Sequence, residues 1–183
     1  MWEKLIKLCD KSIAKLDTQD SFNGFEGFIT DFADMLPLYS VNSKNLLQYG
    51  RYLLHKDKNY NIQLDVFSMD YRGSIHSHGT WGVFGMIQGS MFVDDWANFN
   101  GEFRQTRKTF IARNTVQSFT AQSDWHRIRT QKHGDQPISI HIYGPSYDLD
   151  VGYALDENFK VVSYDRSVFK PNSLFKDKIN EKN

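Results

Sequence analysis

The stretch of sequence that decides the fold covers residues 70–92 and reads DYRGSIHSHGTWGVFGMIQGSMF. It opens with a turn, continues through the paired histidines of I-H-S-H-G, and ends in a glycine-rich apolar hairpin. Residues two apart in a strand point to the same face, so His76 and His78 can project into one cavity. The glycines allow tight bends and a close backbone approach to a bound group. The stretch therefore predicts a metal-binding pair, although H-x-H also occurs by chance on solvent faces.

A third histidine, His126, lies fifty residues after His76 at the start of a predicted strand, in the segment S-D-W-H-R-I-R. Two ligands on one strand and a third on a later antiparallel strand can build a three-histidine site inside a barrel. Imidazole suits iron, copper, nickel or zinc better than calcium or magnesium. The single cysteine, Cys9, excludes a disulfide framework and a cysteine-based zinc site. The sequence therefore predicts one divalent metal ion on His76, His78 and His126.

Outward from this stretch, the chain from residue 50 to residue 164 reads as short strands separated by turn-forming clusters. The predicted strands cover residues 51–54, 62–69, 81–87, 90–96, 103–111, 116–120, 125–129, 138–143 and 150–155. Short strands at this spacing predict a mainly β fold, a sandwich or a barrel. Apolar periodicity before them predicts helices over residues 2–16 and 24–35 and a short helical piece over residues 43–47.

The length of 183 residues suits one domain with a sizeable core. We expect a helical N-terminal part over residues 1–48, a β-barrel over residues 49–165 and a C-terminal tail over residues 166–183. Lysine plus arginine equals aspartate plus glutamate, 22 each, so there is no electrostatic reason to bind nucleic acid. No apolar run approaches the roughly 20 residues of a membrane helix. The N-terminus lacks a signal-peptide core, and we expect a soluble, cytoplasmic protein.

The histidine arrangement resembles the cupin family. His76 and His78 match the cupin H-x-H motif, and Gly89 matches its closing glycine, but the cupin glutamate is missing. Within the cupins, the His-only site together with W-H-R-I-R and S-I-H-I-Y-G-P resembles the thiol dioxygenases, the cysteine dioxygenase family, over about residues 49–145. The H-x-H-x-x-W-G run is closer to bacterial members, including 3-mercaptopropionate dioxygenases. The resemblance implies a cupin double-stranded β-helix, a jelly-roll barrel, with N-terminal helices.

The resemblance also implies a cofactor and a relay. It places Fe(2+) on His76, His78 and His126. Ser139, His141 and Tyr143 match the family's polar residues around the iron. These three alternate with isoleucines, so they share one face of a strand and need mutual hydrogen bonds or a ligand. A hydrogen-bonded core network with no chemical role is the alternative.

The resemblance further assigns a substrate. Arg51 stands where cysteine dioxygenases carry their carboxylate-binding arginine, and Tyr49 matches a nearby tyrosine; an ordinary surface arginine is the alternative. The expected reaction converts a small thiol with O2 to its sulfinic acid, and Arg51 favours L-cysteine over 3-mercaptopropionate. A non-catalytic ligand-binding cupin and a zinc- or nickel-dependent isomerase or hydrolase stay open. The expected partners are the small thiol and O2, with no nucleic acid and no membrane, in a monomer or a weak homo-oligomer.

Overall fold

The computed structural model describes residues 2–19, 25–40, 48–122, 124–145, 147 and 151–166. Within these residues the chain forms helices α1 (Trp2–Gln19) and α2 (Phe25–Ser40), followed by eleven strands. The strands are β1 (Gly50–Lys56), β2 (Asn61–Val66), β3 (His76–Ser77), β4 (Gly82–Gln88), β5 (Ser90–Phe99), β6 (Glu102–Ala112), β7 (Val116–Phe119), β8 (His126–Thr130), β9 (Ile138–Tyr143), β10 (Val151–Leu155) and β11 (Val161–Asp165).

The strands form two sheets with the orders β1-β2-β9-β4-β7 and β11-β10-β3-β8-β5-β6, and every strand pair is antiparallel. Strands β2 to β9 alone give β2-β9-β4-β7 in one sheet and β3-β8-β5-β6 in the other. This is the strand order of an eight-stranded jelly roll built from two Greek keys. The predicted mainly β, double-stranded β-helix with N-terminal helices is therefore confirmed. Strand β1 and the β10–β11 hairpin extend the two sheets at their edges.

Each of the nine strands predicted with bounds overlaps an observed one. The strand expected to carry the histidine pair was given no bounds and is observed as β3, and β11 was not predicted. Strand β3 has only two residues, too few for a detectable alternation. Both predicted helices are present, but α2 continues five residues beyond the predicted end, through Pro37. Proline removes one helical hydrogen bond, yet its fixed φ angle is a helical one, so it does not force a stop here. The helical piece predicted over residues 43–47 lies outside the described residues.

The helices cover the outer face of the first sheet. Phe28, Ile29 and Phe32 of α2 belong to one buried cluster with apolar residues of β2 and β9, among them Ile62, Leu64, Ile140 and Ile142. Because strand residues alternate between the two faces, the neighbours of these isoleucines point into the barrel. Burying the outer face in this way leaves the inner face of β2 and β9 available for polar groups.

The barrel interior is closed by a second apolar cluster that joins the two sheets. It contains Phe84 and Met86 of β4, Met91 and Val93 of β5, and Ile128 of β8. Tyr143 and Tyr147, which belong to the site described below, are also members of this cluster. In the part of the chain that the structure describes, no helix has the length and apolar character needed to cross a membrane.

Candidate metal centre

Three histidines come together inside the barrel. The ring nitrogens offered by His76, His78 and His126 all lie within 4.8 Å of one another. His76 and His126 face each other directly across the β3–β8 pair, and His78 follows one residue after β3. His78 and His126 are buried, and His76 is partly buried. The structure therefore brings together the three predicted ligands at a spacing that could hold one metal ion.

The hydrogen bonds of the rings orient their ligand atoms. His76 Nδ1 lies 3.0 Å from the Ser74 carbonyl oxygen, and His126 Nδ1 lies 2.7 Å from the Asp124 carbonyl oxygen. A carbonyl only accepts, so each Nδ1 carries the proton and donates it, which leaves Nε2 with a free lone pair for a metal. His78 Nδ1 is buried and has no hydrogen-bond partner among the described residues.

The ionisation of the rings also suits a metal. Burial lowers the pKa of His76 to about 3 and that of His126 to about 4, and it lowers the pKa of His78 well below its usual value. All three imidazoles are therefore neutral at pH 7, the form that binds metal ions. Three neutral nitrogen donors fit iron, nickel, copper or zinc and leave positions open for other ligands.

Asp124 holds the ligand-bearing loop and was not predicted. Its carboxylate accepts the Ser77 hydroxyl at 2.8 Å and the backbone N–H groups of His78 and Gly79 at 2.6 Å each. Its carbonyl accepts the His126 ring N–H described above. Asp124 is 2% exposed. One residue thus connects the segments that carry all three histidines, although its role arises only when distant segments meet and has no sequence signal.

Ser139, His141 and Tyr143 form the predicted hydrogen-bonded chain on the inner face of β9. Ser139 Oγ lies 2.7 Å from His141 Nε2, and Tyr143 Oη lies 3.0 Å from His141 Nδ1. Burial lowers the pKa of His141 to about 3, so the ring is neutral and joins one donor to one acceptor. The Tyr143 ring stacks on the His78 ring with centroids 4.6 Å apart. The chain of hydrogen bonds therefore ends beside the histidine cluster.

A second polar strand lies next to this chain. On β2, Asn61, Gln63 and Asp65 pair in register with Tyr143, His141 and Ser139 of β9, in that order. Gln63 Nε2 donates to Asn61 Oδ1 at 2.8 Å, and Asp65 Oδ2 lies 3.6 Å from His141 Nε2. The alternation N-I-Q-L-D-V signals this polar face in the sequence, just as S-I-H-I-Y does for β9. The polar face of β9 was predicted from its sequence, whereas the polar face of β2 was not.

The predicted substrate-binding residues line a cavity that opens beside the histidines. The cavity has a volume of about 390 Å³, and its described lining includes Tyr49, Arg51, Asp65, His76, His78, His141 and Tyr143. Arg51 Nη2 donates to the Arg166 carbonyl at 2.6 Å. Tyr49 is 54% exposed, and its ring lies 6.2 Å from that of Tyr71. Arg51 and Tyr49 thus share one cavity with two of the candidate ligands.

A second arginine, Arg166, packs against Tyr147, one of the residues that line the cavity. Arg166 was predicted to belong to the C-terminal tail, but its side chain is buried, with 1% exposure. Its Nη2 atom donates to the Ser77 carbonyl at 2.7 Å, and its guanidinium carbon lies 4.6 Å from the Tyr147 ring centroid. Tyr147 in turn stacks on Tyr143, with ring centroids 4.3 Å apart.

The predicted division of one domain into helices, barrel and tail stays a prediction. The rest of the predicted tail, residues 167–183, lies outside the described residues.

The fold and the site define an eight-stranded jelly roll with a three-histidine cluster. No protein-family model and no curated protein matches the chain. Among similar solved structures, an RmlC-like cupin from Ralstonia eutropha JMP134 has 13% identity and a TM-score of 0.44, covering 64% of this chain and 65% of its own. A cupin superfamily protein from Desulfitobacterium hafniense DCB-2 has 18% identity and a TM-score of 0.42, covering 59% and 87%. A hydroquinone 1,2-dioxygenase from Sphingomonas sp. TTNP3 has 13% identity and a TM-score of 0.42, covering 55% and 67%.

All three have TM-scores below 0.5 and identities below 20%, and they transfer no activity to the chain. The chain spans about two thirds of the length of the Ralstonia and Sphingomonas proteins.

Proposed function

We propose that the chain is a non-haem iron(II) thiol dioxygenase that converts a small thiol, with L-cysteine as the first candidate, to its sulfinic acid. The observation that carries the proposal is one cavity bordered by neutral histidines, by the Tyr143 end of a hydrogen-bonded chain and by Arg51. In the reaction, RSH and O2 give RSO2H. The sulfur loses four electrons and both oxygen atoms are incorporated, so no external reductant is needed.

The metal ligands in this proposal are His76, His78 and His126. Ferrous iron bound there would supply open coordination positions and the redox chemistry that O2 requires. A set of three neutral imidazoles leaves the charge of a divalent ion uncompensated, which favours an anionic thiolate over a neutral ligand. The protein residues around the site then have to bind, orient and protonate the reactants.

The Tyr143 hydroxyl is the proton donor that lies beside the histidine cluster. Burial raises the pKa of Tyr143 well above its usual value, so the phenol keeps its proton and stays a hydrogen-bond donor at pH 7. His141 and Ser139 fix its orientation through the two hydrogen bonds at the imidazole. Tyr143 therefore can hold a proton beside the histidine cluster without being ionised itself.

Arg51 would orient the substrate. A guanidinium binds a carboxylate through two parallel N–H donors, and this geometry fixes both position and direction. Arg51 lines the cavity that the histidines border, so a thiol held there by its carboxylate can direct its sulfur toward the cluster. This argument extends to any small thiol acid and includes 3-mercaptopropionate.

Oxygen uptake by the iron-loaded protein tests the proposal. We expect cysteine-dependent O2 consumption, with cysteine sulfinate carrying both atoms of labelled O2 by mass spectrometry. His126→Ala should lose iron and activity together, and Tyr143→Phe should lower kcat while iron content is kept. Arg51→Ala should raise KM only for carboxylate-bearing thiols. Arg104→Ala, at a residue whose side chain is 64% exposed, is the matched control.

The outcomes separate the alternatives. Activity with 3-mercaptopropionate but not with cysteine would change the substrate and keep the reaction. Tight binding of a small ligand without any O2 uptake would indicate a non-catalytic binding protein. Absence of turnover with cysteine, cysteamine and 3-mercaptopropionate by fully iron-loaded protein would contradict the proposal.

A further inference from the structure

Asp65 is a carboxylate that the proposed reaction does not use. It lines the cavity, and its side chain is 14% exposed. Its Oδ2 atom lies 3.6 Å from His141 Nε2, beyond hydrogen-bond distance, and His141 Nε2 is already bonded to Ser139. Its Oδ1 atom is buried and has no hydrogen-bond partner among the described residues. A buried acceptor without a donor is costly, so the carboxyl group would gain from a donor that a ligand brings to its exposed part.

Asp65 stands directly opposite Arg51. The two residues are register partners across the β1–β2 pair, and both line the cavity. Side chains in such pairs start from Cβ atoms about 4.5–5.5 Å apart on the same face of the sheet. The cavity wall therefore presents a guanidinium and a carboxyl group side by side. Burial raises the pKa of Asp65 to about 7, so the carboxyl group is about half ionised at pH 7, and an ammonium group bound beside it would favour the ionised form. A ligand with a carboxylate and an ammonium group on the same carbon atom, an α-amino acid, has the complementary arrangement.

The charges around the cavity give Asp65 a specific task. Arg51 and Arg166 are positive, and His76, His78, His126 and His141 are neutral at pH 7. Asp65 is the only carboxylate among the described residues that line the cavity. An incoming ammonium group would meet positive potential from the two arginines if Asp65 were absent. Discrimination between thiols with and without an amino group can therefore be assigned to this one side chain.

We propose that Asp65 is a specificity-determining residue that accepts a hydrogen bond from the ammonium group of an α-amino-acid thiol whose carboxylate binds Arg51. The inference rests on the proposed function and narrows its substrate class to thiols that carry both groups. It predicts a preference for cysteine over 3-mercaptopropionate, which lacks the amine, and over cysteamine, which lacks the carboxylate.

The test compares wild type, Asp65→Asn and Asp31→Asn in two measurements. The first is kcat/KM of the iron-loaded protein for cysteine and 3-mercaptopropionate. The second is calorimetric binding of the same two thiols to iron-loaded protein without O2. Asp31 is an exposed residue of α2, so its variant matches the charge change outside the cavity. Asp65→Asn should weaken cysteine about 10- to 100-fold, the range for one lost charge-assisted hydrogen bond, and shift 3-mercaptopropionate by less than about threefold.

Asp65→Glu guards against a folding defect, since it keeps the carboxylate and should retain a preference for cysteine. If Asp65→Asn weakened cysteine and 3-mercaptopropionate equally, the inference would be overturned. Asp65 would then act on the neighbouring His141 ring and not on the amino group of the substrate. Unchanged cysteine binding would also overturn the inference. If no thiol is oxidised by wild type, the proposed function fails, and the calorimetric comparison alone then decides the role of Asp65.

Discussion

Asp124 is the residue on which the geometry of the histidine cluster depends most. It accepts hydrogen bonds from the loop of His78 and from the ring of His126. Residues that orient metal ligands typically change metal affinity 10- to 100-fold when they are replaced. We expect Asp124→Asn to lower iron affinity by about that factor, measured by competition with a chelator. Asp31→Asn should leave the affinity unchanged, and an Asp124→Asn protein with wild-type affinity would contradict the role described here.

Asp65 gives the stability of the protein an unusual pH dependence. Burial raises its pKa from 3.8 to about 7, although Arg51 acts in the opposite direction. Between about pH 4 and pH 7 the folded state keeps a proton that the unfolded state loses, so this residue lowers stability as the pH rises. Asparagine carries no such penalty. The free energy of unfolding of Asp65→Asn relative to wild type should be about 1–3 kcal/mol larger at pH 8 than at pH 5.

Urea unfolding of metal-free protein at the two pH values measures this difference. The histidines with lowered pKa values act in the opposite direction below about pH 6. They are present in both proteins, so their contribution cancels in the comparison. A difference between wild type and Asp65→Asn that is the same at pH 5 and pH 8 would show that Asp65 has an ordinary pKa.

At the scale of single residues, the sequence predicted what depends on local spacing. The three histidines were identified because two lie two residues apart and the third begins a strand. Asp124 could not be identified because the hydrogen bonds that its carboxylate accepts from Ser77, His78 and Gly79 join segments 45 to 47 residues apart. Asp65 carried a signal, the alternation on β2, but a carboxylate in an alternating strand ordinarily faces solvent.

At the scale of elements, α2 rests on β4 where a glycine removes a side chain. A Cβ atom at Gly85 would lie 2.6 Å from Ile29 of α2 and 3.1 Å from the Thr115 carbonyl. Overpacking of this kind costs about 1–3 kcal/mol, so Gly85→Ala should lower the free energy of unfolding by that amount. Gly27, on the exposed side of the same helix, has nothing within 4 Å.

Gly27→Ala is the matched control for the packing of α2. Alanine is the better helix former, and the same substitution should stabilise the protein by about 0.4–1 kcal/mol. Denaturant unfolding of the two variants measures both signs. If Gly85→Ala is as stable as wild type, the helix can move away from β4 without loss, and the contact is not a determinant of the fold.

Element prediction succeeded where periodicity was long enough. The six residues of β9 alternate without exception, and the predicted and observed strands coincide at residues 138–143. Strand β3 is defined by its neighbours, β8 and β10, rather than by its own two residues. Tertiary pairing therefore supplies what the local sequence of β3 cannot, and the sheet order as a whole required the resemblance or the structure.

At the scale of the whole molecule, metal binding should stabilise the fold. A ligand present at a hundred times its Kd and bound only by the folded chain contributes about 2.7 kcal/mol. For a protein of this size, the melting temperature should rise by roughly 5–10 °C when iron is added to chelator-treated protein without O2. Differential scanning fluorimetry measures the shift. Magnesium should produce none, and an equal iron-induced shift in His126→Ala would place the metal elsewhere.

The contact of Arg166 with the Ser77 carbonyl joins residues 89 positions apart. The chain leaves the ribosome with its N-terminus first, and contacts between residues far apart in sequence form late in folding. The nascent chain therefore carries the two candidate ligands His76 and His78 before β8 brings His126 beside them. The hydrogen bond from Arg166 to the Ser77 carbonyl forms later still. A metal ion bound at that stage would have two histidine ligands from the chain, and only the finished barrel brings the third histidine beside them. Maturation of the site is therefore a matter of timing as well as of affinity.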